Sequence, residues 1–112
     1  MSDEPASEFS IEERRLDGTV VLTLRGELDL VSADEVGARL DALRGAGEPV
    51  LLDLDALEFM DSSGLRVVLN AAEASDASGW PFSLTHGPEQ VRRLFESTCV
   101  TGRLPIVPPP GH

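Results

Sequence analysis

The segment from residue 50 to residue 72 constrains the fold most, because its hydrophobic period changes within a few residues. Val50, Leu51, Leu52 and Leu54 form a nearly continuous apolar run, the pattern of a short strand buried on both faces. Leu65, Val68, Leu69 and Ala72 then recur at three- and four-residue spacing and line one face of a helix. A buried strand handing over to an amphipathic helix calls for a sheet with helices packed on it. The junction holds Asp61-Ser62-Ser63-Gly64. A helix start leaves about four N–H groups unpaired and carries roughly half a positive charge, so it tolerates an added anion. Ser62 or Ser63 sits at that point. Asp and Ser are also the commonest helix caps, and the tetrapeptide taken alone fits that plainer role.

The flanking sequence repeats the same alternation. Phe9-Ser10-Ile11-Glu12-Glu13 reads as a short amphipathic strand, and Asp17-Gly18 supplies a hairpin turn into a second strand, Thr19 to Arg25. Ser32 followed by Glu35 has the form of a capping box, and Val36, Leu40 and Leu43 keep helical spacing until Gly45 and Gly47. This predicts a first helix over Ser32 to Arg44. The helix beginning at the serines should end near Ser75 to Gly79, followed by a short strand, Phe82 to Thr85. Pro88 then opens a third helix with Val91, Leu94 and Phe95 on its apolar face. The order is ββαβαβα, with room for a last strand at Leu104 to Val107. The fold class is α/β: a mixed sheet of four to five strands with an antiparallel N-terminal hairpin, packed with about three helices.

Charge and composition narrow the function classes. Twenty acidic residues against nine basic ones give a net charge of -11, which argues against direct nucleic-acid binding, since phosphate contacts need a positive surface. Four Phe, one Trp and no Tyr leave little for a base-stacking platform. A protein partner with a basic surface fits better. Two His and one Cys do not make a zinc cluster, and no metal or cofactor is expected. Ser62 has no recognisable His partner and no Gly-x-Ser-x-Gly frame, and the absence of lysine excludes a Gly-x-x-x-x-Gly-Lys phosphate loop. The chain looks like a substrate of enzymes rather than an enzyme. Cys99, beside Val100 and near Phe95, is expected to be a small buried hydrophobe. No apolar run nears the length of about 20 residues that spans a bilayer, and Met1-Ser2-Asp3-Glu4-Pro5 is unlike a signal peptide, so the expected location is cytoplasmic, away from membranes.

Leu52-Asp53-Leu54-Asp55-Ala56-Leu57-Glu58-Phe59-Met60-Asp61-Ser62-Ser63-Gly64-Leu65 resembles the signature of the bacterial anti-sigma factor antagonists, whose fold is the STAS domain. A second match precedes it: Val21-Leu22-Thr23-Leu24-Arg25-Gly26-Glu27-Leu28-Asp29, an apolar strand ending in Gly-Glu-Leu-Asp. The two lie in the family's order and at comparable spacing, and the likeness runs from Phe9 to Val107. It implies a STAS domain over residues 8–107, between a flexible start at 1–7 and a Pro-rich disordered tail at 108–112. A closing helix commonly follows the last strand in the family. Pro108-Pro109-Pro110 cannot form one, which would leave one sheet face less covered.

The resemblance further implies partner switching. The unmodified module binds an anti-sigma factor that is also a serine kinase, freeing a sigma factor for stress-response or sporulation transcription. Phosphorylation at Ser62 breaks the complex, and a metal-dependent serine phosphatase restores it. The partner surface would comprise Asp29, Met60, Asp61, Ser62, Ser63, Gly64 and Arg66. Asp29 suits this surface or a plain turn or cap equally. Met60 either touches the kinase or plugs the core, while Leu65 belongs to the core by its helical phase. Ser63 is assigned to capping and loop geometry. Gly64 permits either a close approach or an unusual backbone angle, or is a simple flexible link. Arg66 points off the apolar face. The other readings are a STAS scaffold or adaptor, in a stress-signalling complex or a lipid or transport system, without an anti-sigma partner, and, more weakly, a small enzyme.

Overall fold

The computed structural model describes residues 9–110. Strands β1 (Ser10–Leu16) and β2 (Thr19–Leu28) pair antiparallel through the turn at Asp17 and Gly18. Both turn residues have positive φ, 54° and 83°, the conformation a two-residue hairpin with native twist demands. There follow α1 (Leu30–Gly45), β3 (Val50–Asp53), β4 (Leu57–Met60), α2 (Ser62–Ser78), β5 (Phe82–Leu84) and α3 (Glu89–Ser97). The sheet order is β1-β2-β3-β5, with β4 also pairing β2, and every pairing after the hairpin is parallel.

The extra strand corrects the predicted order. Thr23 of β2 pairs with Asp53, Gly26 with Leu57 and Leu28 with Met60, so β3 and β4 are successive stretches along one neighbour, separated by a bulge. The Asp55 N–H donates to Asp53 Oδ1 at 3.1 Å and the Leu57 N–H to the Leu54 carbonyl at 3.1 Å, closing the bulge as a turn. Leu54 finds its partner in the buried Thr85 hydroxyl, which accepts its N–H at 2.9 Å. The segment between the buried strand and Ser62 is thus mostly sheet, and it carries Asp61 to the end of β2.

One hydrophobic cluster joins Val20, Leu22 and Leu24 of β2 and Leu52 of β3 to Val36 and Leu40 of α1, Val68 and Ala72 of α2, and Val91 and Phe95 of α3. The alternate residues of β2 face away from it. There the Thr23 hydroxyl donates to Asp53 at 3.4 Å, and Arg25 pairs with Glu12 at 3.2 Å.

Four further expectations shift. Helix α1 starts at Leu30, not Ser32, because Asp29 is its cap. Pro88 is the cap of α3, one position before its first helical residue. The last strand shrinks to a single parallel bridge, Leu84 to Ile106, supported by the Val107 N–H donating to the Leu84 carbonyl at 2.8 Å. Cys99 is exposed, not buried: it takes a left-handed φ of 61° just past the end of α3, and the neighbouring Val100 fills the core instead. Pro108 to Pro110 hold no helix. The predicted flexible start, residues 1–7, and the last two residues of the tail lie outside the described residues.

Candidate functional site

Parallel pairing of Leu28 with Met60 makes β2 and β4 end together, and each strand is followed almost at once by a helix. The starts of α1 and α2 therefore lie side by side, stitched by the Asp61 N–H donating to the Leu28 carbonyl at 3.1 Å. Both helices are capped by an aspartate. Asp61 Oδ1 accepts the N–H of Ser63 at 2.8 Å and of Gly64 at 3.2 Å, and its carbonyl accepts the Leu65 N–H at 3.0 Å. Asp29 Oδ1 accepts the N–H of Val31 at 3.1 Å and of Ser32 at 3.2 Å, while Ser32 Oγ accepts the Asp29 N–H at 3.0 Å and donates to the Glu27 carbonyl at 2.8 Å. The Ser32 backbone N–H and hydroxyl, ahead of the others, hold the Asp29 carboxyl below its usual range. The box runs from Asp29 to Ser32; Glu35 is exposed and plays no part in it.

With the cap assigned to Asp61, Ser62 is left free. It is the first residue of α2, it is exposed, and its hydroxyl forms no hydrogen bond among the described residues. Ser63 is half-buried and faces α1. Gly64 is buried for a steric reason: a Cβ there would stand 2.7 Å from Leu28 Cγ, 2.9 Å from the Leu28 carbonyl oxygen and 2.9 Å from Met60 Cγ. Close approach, not left-handed backbone, explains this glycine. Met60 is a core residue, as is Leu65. Arg66 is exposed one turn beyond Ser62.

Three residues absent from the sequence-based site join it. Leu30 is 73% exposed, Val31 85% and Phe59 44%, against a large majority of apolar side chains that are buried. Leu30 shares a groove between α1 and α2 with Ala33, Asp34, Ser63, Arg66 and Val67, and Phe59 pairs with Glu27 next to the junction. Their signal was phase: Leu30 and Val31 fall off the stripe of Val36 and Leu40, and apolar residues off the stripe of a capped helix have only solvent or a partner to meet. Among the described residues, no group of His, Cys, Asp and Glu is placed to hold a metal ion, and no helix is long and apolar enough to cross a membrane.

Residues 11–108 match the family model described as Mlab, STAS domain. The chain is 32% identical to the anti-sigma F factor antagonist of Paenibacillus polymyxa over 88% of its own length and 86% of that protein's. Among solved structures, an anti-sigma factor antagonist from Mycobacterium paratuberculosis superimposes with a TM-score of 0.81 at 24% identity, covering 93% of this chain and 89% of that one. The anti-sigma factor antagonist SpoIIAA in its unphosphorylated form gives a TM-score of 0.71 at 25% identity, covering 90% and 89%.

Proposed function

The chain belongs to the STAS-domain family of anti-sigma factor antagonists, and from that premise we propose that it works by partner switching at Ser62. In the unmodified state it binds an anti-sigma factor serine kinase in the cytoplasm and displaces the sigma factor. The kinase ends the complex by phosphorylating Ser62, and a metal-dependent serine phosphatase resets it. One observation carries this reading: the Ser62 hydroxyl is exposed and forms no hydrogen bond among the described residues, at the start of a helix whose next residue, Ser63, lines a groove with the exposed Leu30.

The patch and the hydroxyl have separate tasks. Leu30, Val31 and Phe59 supply apolar area that a partner can cover, while Asp29, Met60, Asp61, Ser63 and Gly64 hold the two helix starts in register beneath it. Arg66 and Asp34 give the face its polar rim. A phosphate brings about -1.5 to -2 charges at pH 7. Set beside Asp61 and Glu58 in a closed interface, it adds repulsion and desolvation. A loss of even ~3 kcal/mol lowers affinity roughly 150-fold, enough to exchange partners without disturbing the fold.

The test is to incubate the chain with ATP and candidate anti-sigma kinases, locate added phosphate by mass spectrometry, and measure kinase affinity for Ser62→Ala and Ser62→Asp. Phosphate at Ser62, retained binding by the alanine variant and weak binding by the aspartate variant are expected. Equal affinities would end the proposal.

A further inference from the structure

Resting on Ser62 as the phosphate acceptor, we propose that Arg66 is the counter-ion for that phosphate, and that pairing with it withdraws Arg66 from the groove shared with Leu30. Seven of the nine arginines pair with a carboxylate. Arg66 pairs with none among the described residues. It lies four positions after Ser62 on α2, and both are exposed. Residues so spaced stand about 5–6 Å apart at Cβ on one helix face, well within the reach of an arginine. The two line one surface depression with Leu69, Asn70 and Glu73, and Glu73 is already paired with Arg103 at 3.4 Å.

The helix start itself is a poor receiver. The N–H groups of Ser63 and Gly64 are taken by the Asp61 carboxylate and that of Leu65 by the Asp61 carbonyl. A phosphate on Ser62 therefore meets a negative charge at the preceding residue and has its nearest helical cation one turn on. Guanidinium suits it, because its planar fork can donate two parallel bonds to phosphate oxygens. Among the described residues Arg66 is also the cation lining the groove, which Asp34 lines too, while Asp41 is already paired with Arg44 at 3.5 Å. Once it turns to the phosphate, Asp34 is left in the groove without a lining cation. The modification then acts at two places on the partner face: at Ser62, and across the groove beside Leu30.

The experiment uses the full chain with phosphoserine installed at position 62 by ligation, compared with the same chain carrying Arg66→Gln or Arg66→Lys. The second ionisation of the phosphate is followed by phosphorus NMR against pH. Its midpoint should lie about 0.2–0.4 unit lower with arginine than with glutamine, with lysine between them. The Leu30 methyl resonances should move on phosphorylation in the native chain and stay put in Arg66→Gln. Equal midpoints, or identical Leu30 shifts in both chains, would overturn the proposal. No kinase enters this assay, so a chain that no kinase modifies would sink the switching reading and leave this measurement standing.

Discussion

Gly64→Ala sets two opposite effects against each other at one atom. In a helix, replacing Gly by Ala ordinarily stabilises by roughly 0.5–1 kcal/mol, since alanine has fewer unfolded conformations to lose. At Gly64 the added methyl would sit 2.9 Å from the Leu28 carbonyl oxygen, as well as 2.7 Å from Leu28 Cγ and 2.9 Å from Met60 Cγ. Met60 could rotate, but the carbonyl belongs to the sheet and already accepts the Asp61 N–H. Overpacking of this kind costs about 1–3 kcal/mol. The clash wins, and the net loss should be about 1–2 kcal/mol, a fall in Tm of about 4–8 °C for a chain of this length. Gly37→Ala is the control: on α1 its Cβ would meet only Val67 Cγ2, at 4.0 Å, so the same substitution should raise Tm. Calorimetry on both variants decides. A Gly64→Ala protein as stable as Gly37→Ala would refute the claim that contact with Leu28 fixes the start of α2.

Two further outcomes follow from the same corner. Leu30→Ser together with Phe59→Ser should leave Tm almost unchanged, within about 0.5 kcal/mol per exposed site, while weakening kinase binding at least about tenfold, as calorimetric titration would show; undiminished affinity would move the interface elsewhere. The depressed pKa of Asp29 gives a pH signature. Its contribution is complete above the ordinary carboxylate pKa of about 4 and is lost as pH falls through the lower folded value. Asn caps a helix comparably but does not titrate, so the Tm of the native chain relative to Asp29→Asn should drop only below about pH 4, and a gap constant from pH 7 to pH 2 would contradict the cap assignment.

Much of the architecture was legible because it rests on local periodicity. The apolar run at Val50 to Leu54, the helical spacing after Leu65 and the Asp17-Gly18 turn each follow from a few neighbouring residues. What escaped depends on distant partners. Nothing near Leu57 announces that β4 resumes pairing with β2 after a bulge, since Asp55 and Ala56 interrupt the pattern and the other half of the ladder lies about thirty residues upstream. Asp29-x-x-Ser32 and Ser32-x-x-Glu35 both satisfy a capping signature. The choice between them is made by the Glu27 carbonyl, which holds the Ser32 hydroxyl inward. Cys99 was misplaced because its apolar neighbours are visible in sequence and its left-handed backbone is not. At the site, Ser62, Gly64 and Asp61 were found by motif, whereas Leu30, Val31 and Phe59 become meaningful only when exposure is known.

The junction divides its work between residues that look interchangeable in sequence. An aspartate and two serines could each cap α2, and had Ser62 been the cap, its hydroxyl would be committed to a backbone N–H and a phosphate there would cost the helix its first turn. Asp61 takes that task through two N–H groups, and Asp29 does the same for α1. Both caps bond backbone N–H groups and not the Ser62 hydroxyl, so neither depends on the state of Ser62. The exposed Ser62 hydroxyl is thereby uncoupled from the bonds that hold the helices to the sheet. The proposed switch at Ser62 would act on the affinity of a surface and spare the stability of the domain, so that cycles of phosphorylation need not pass through an unfolded chain.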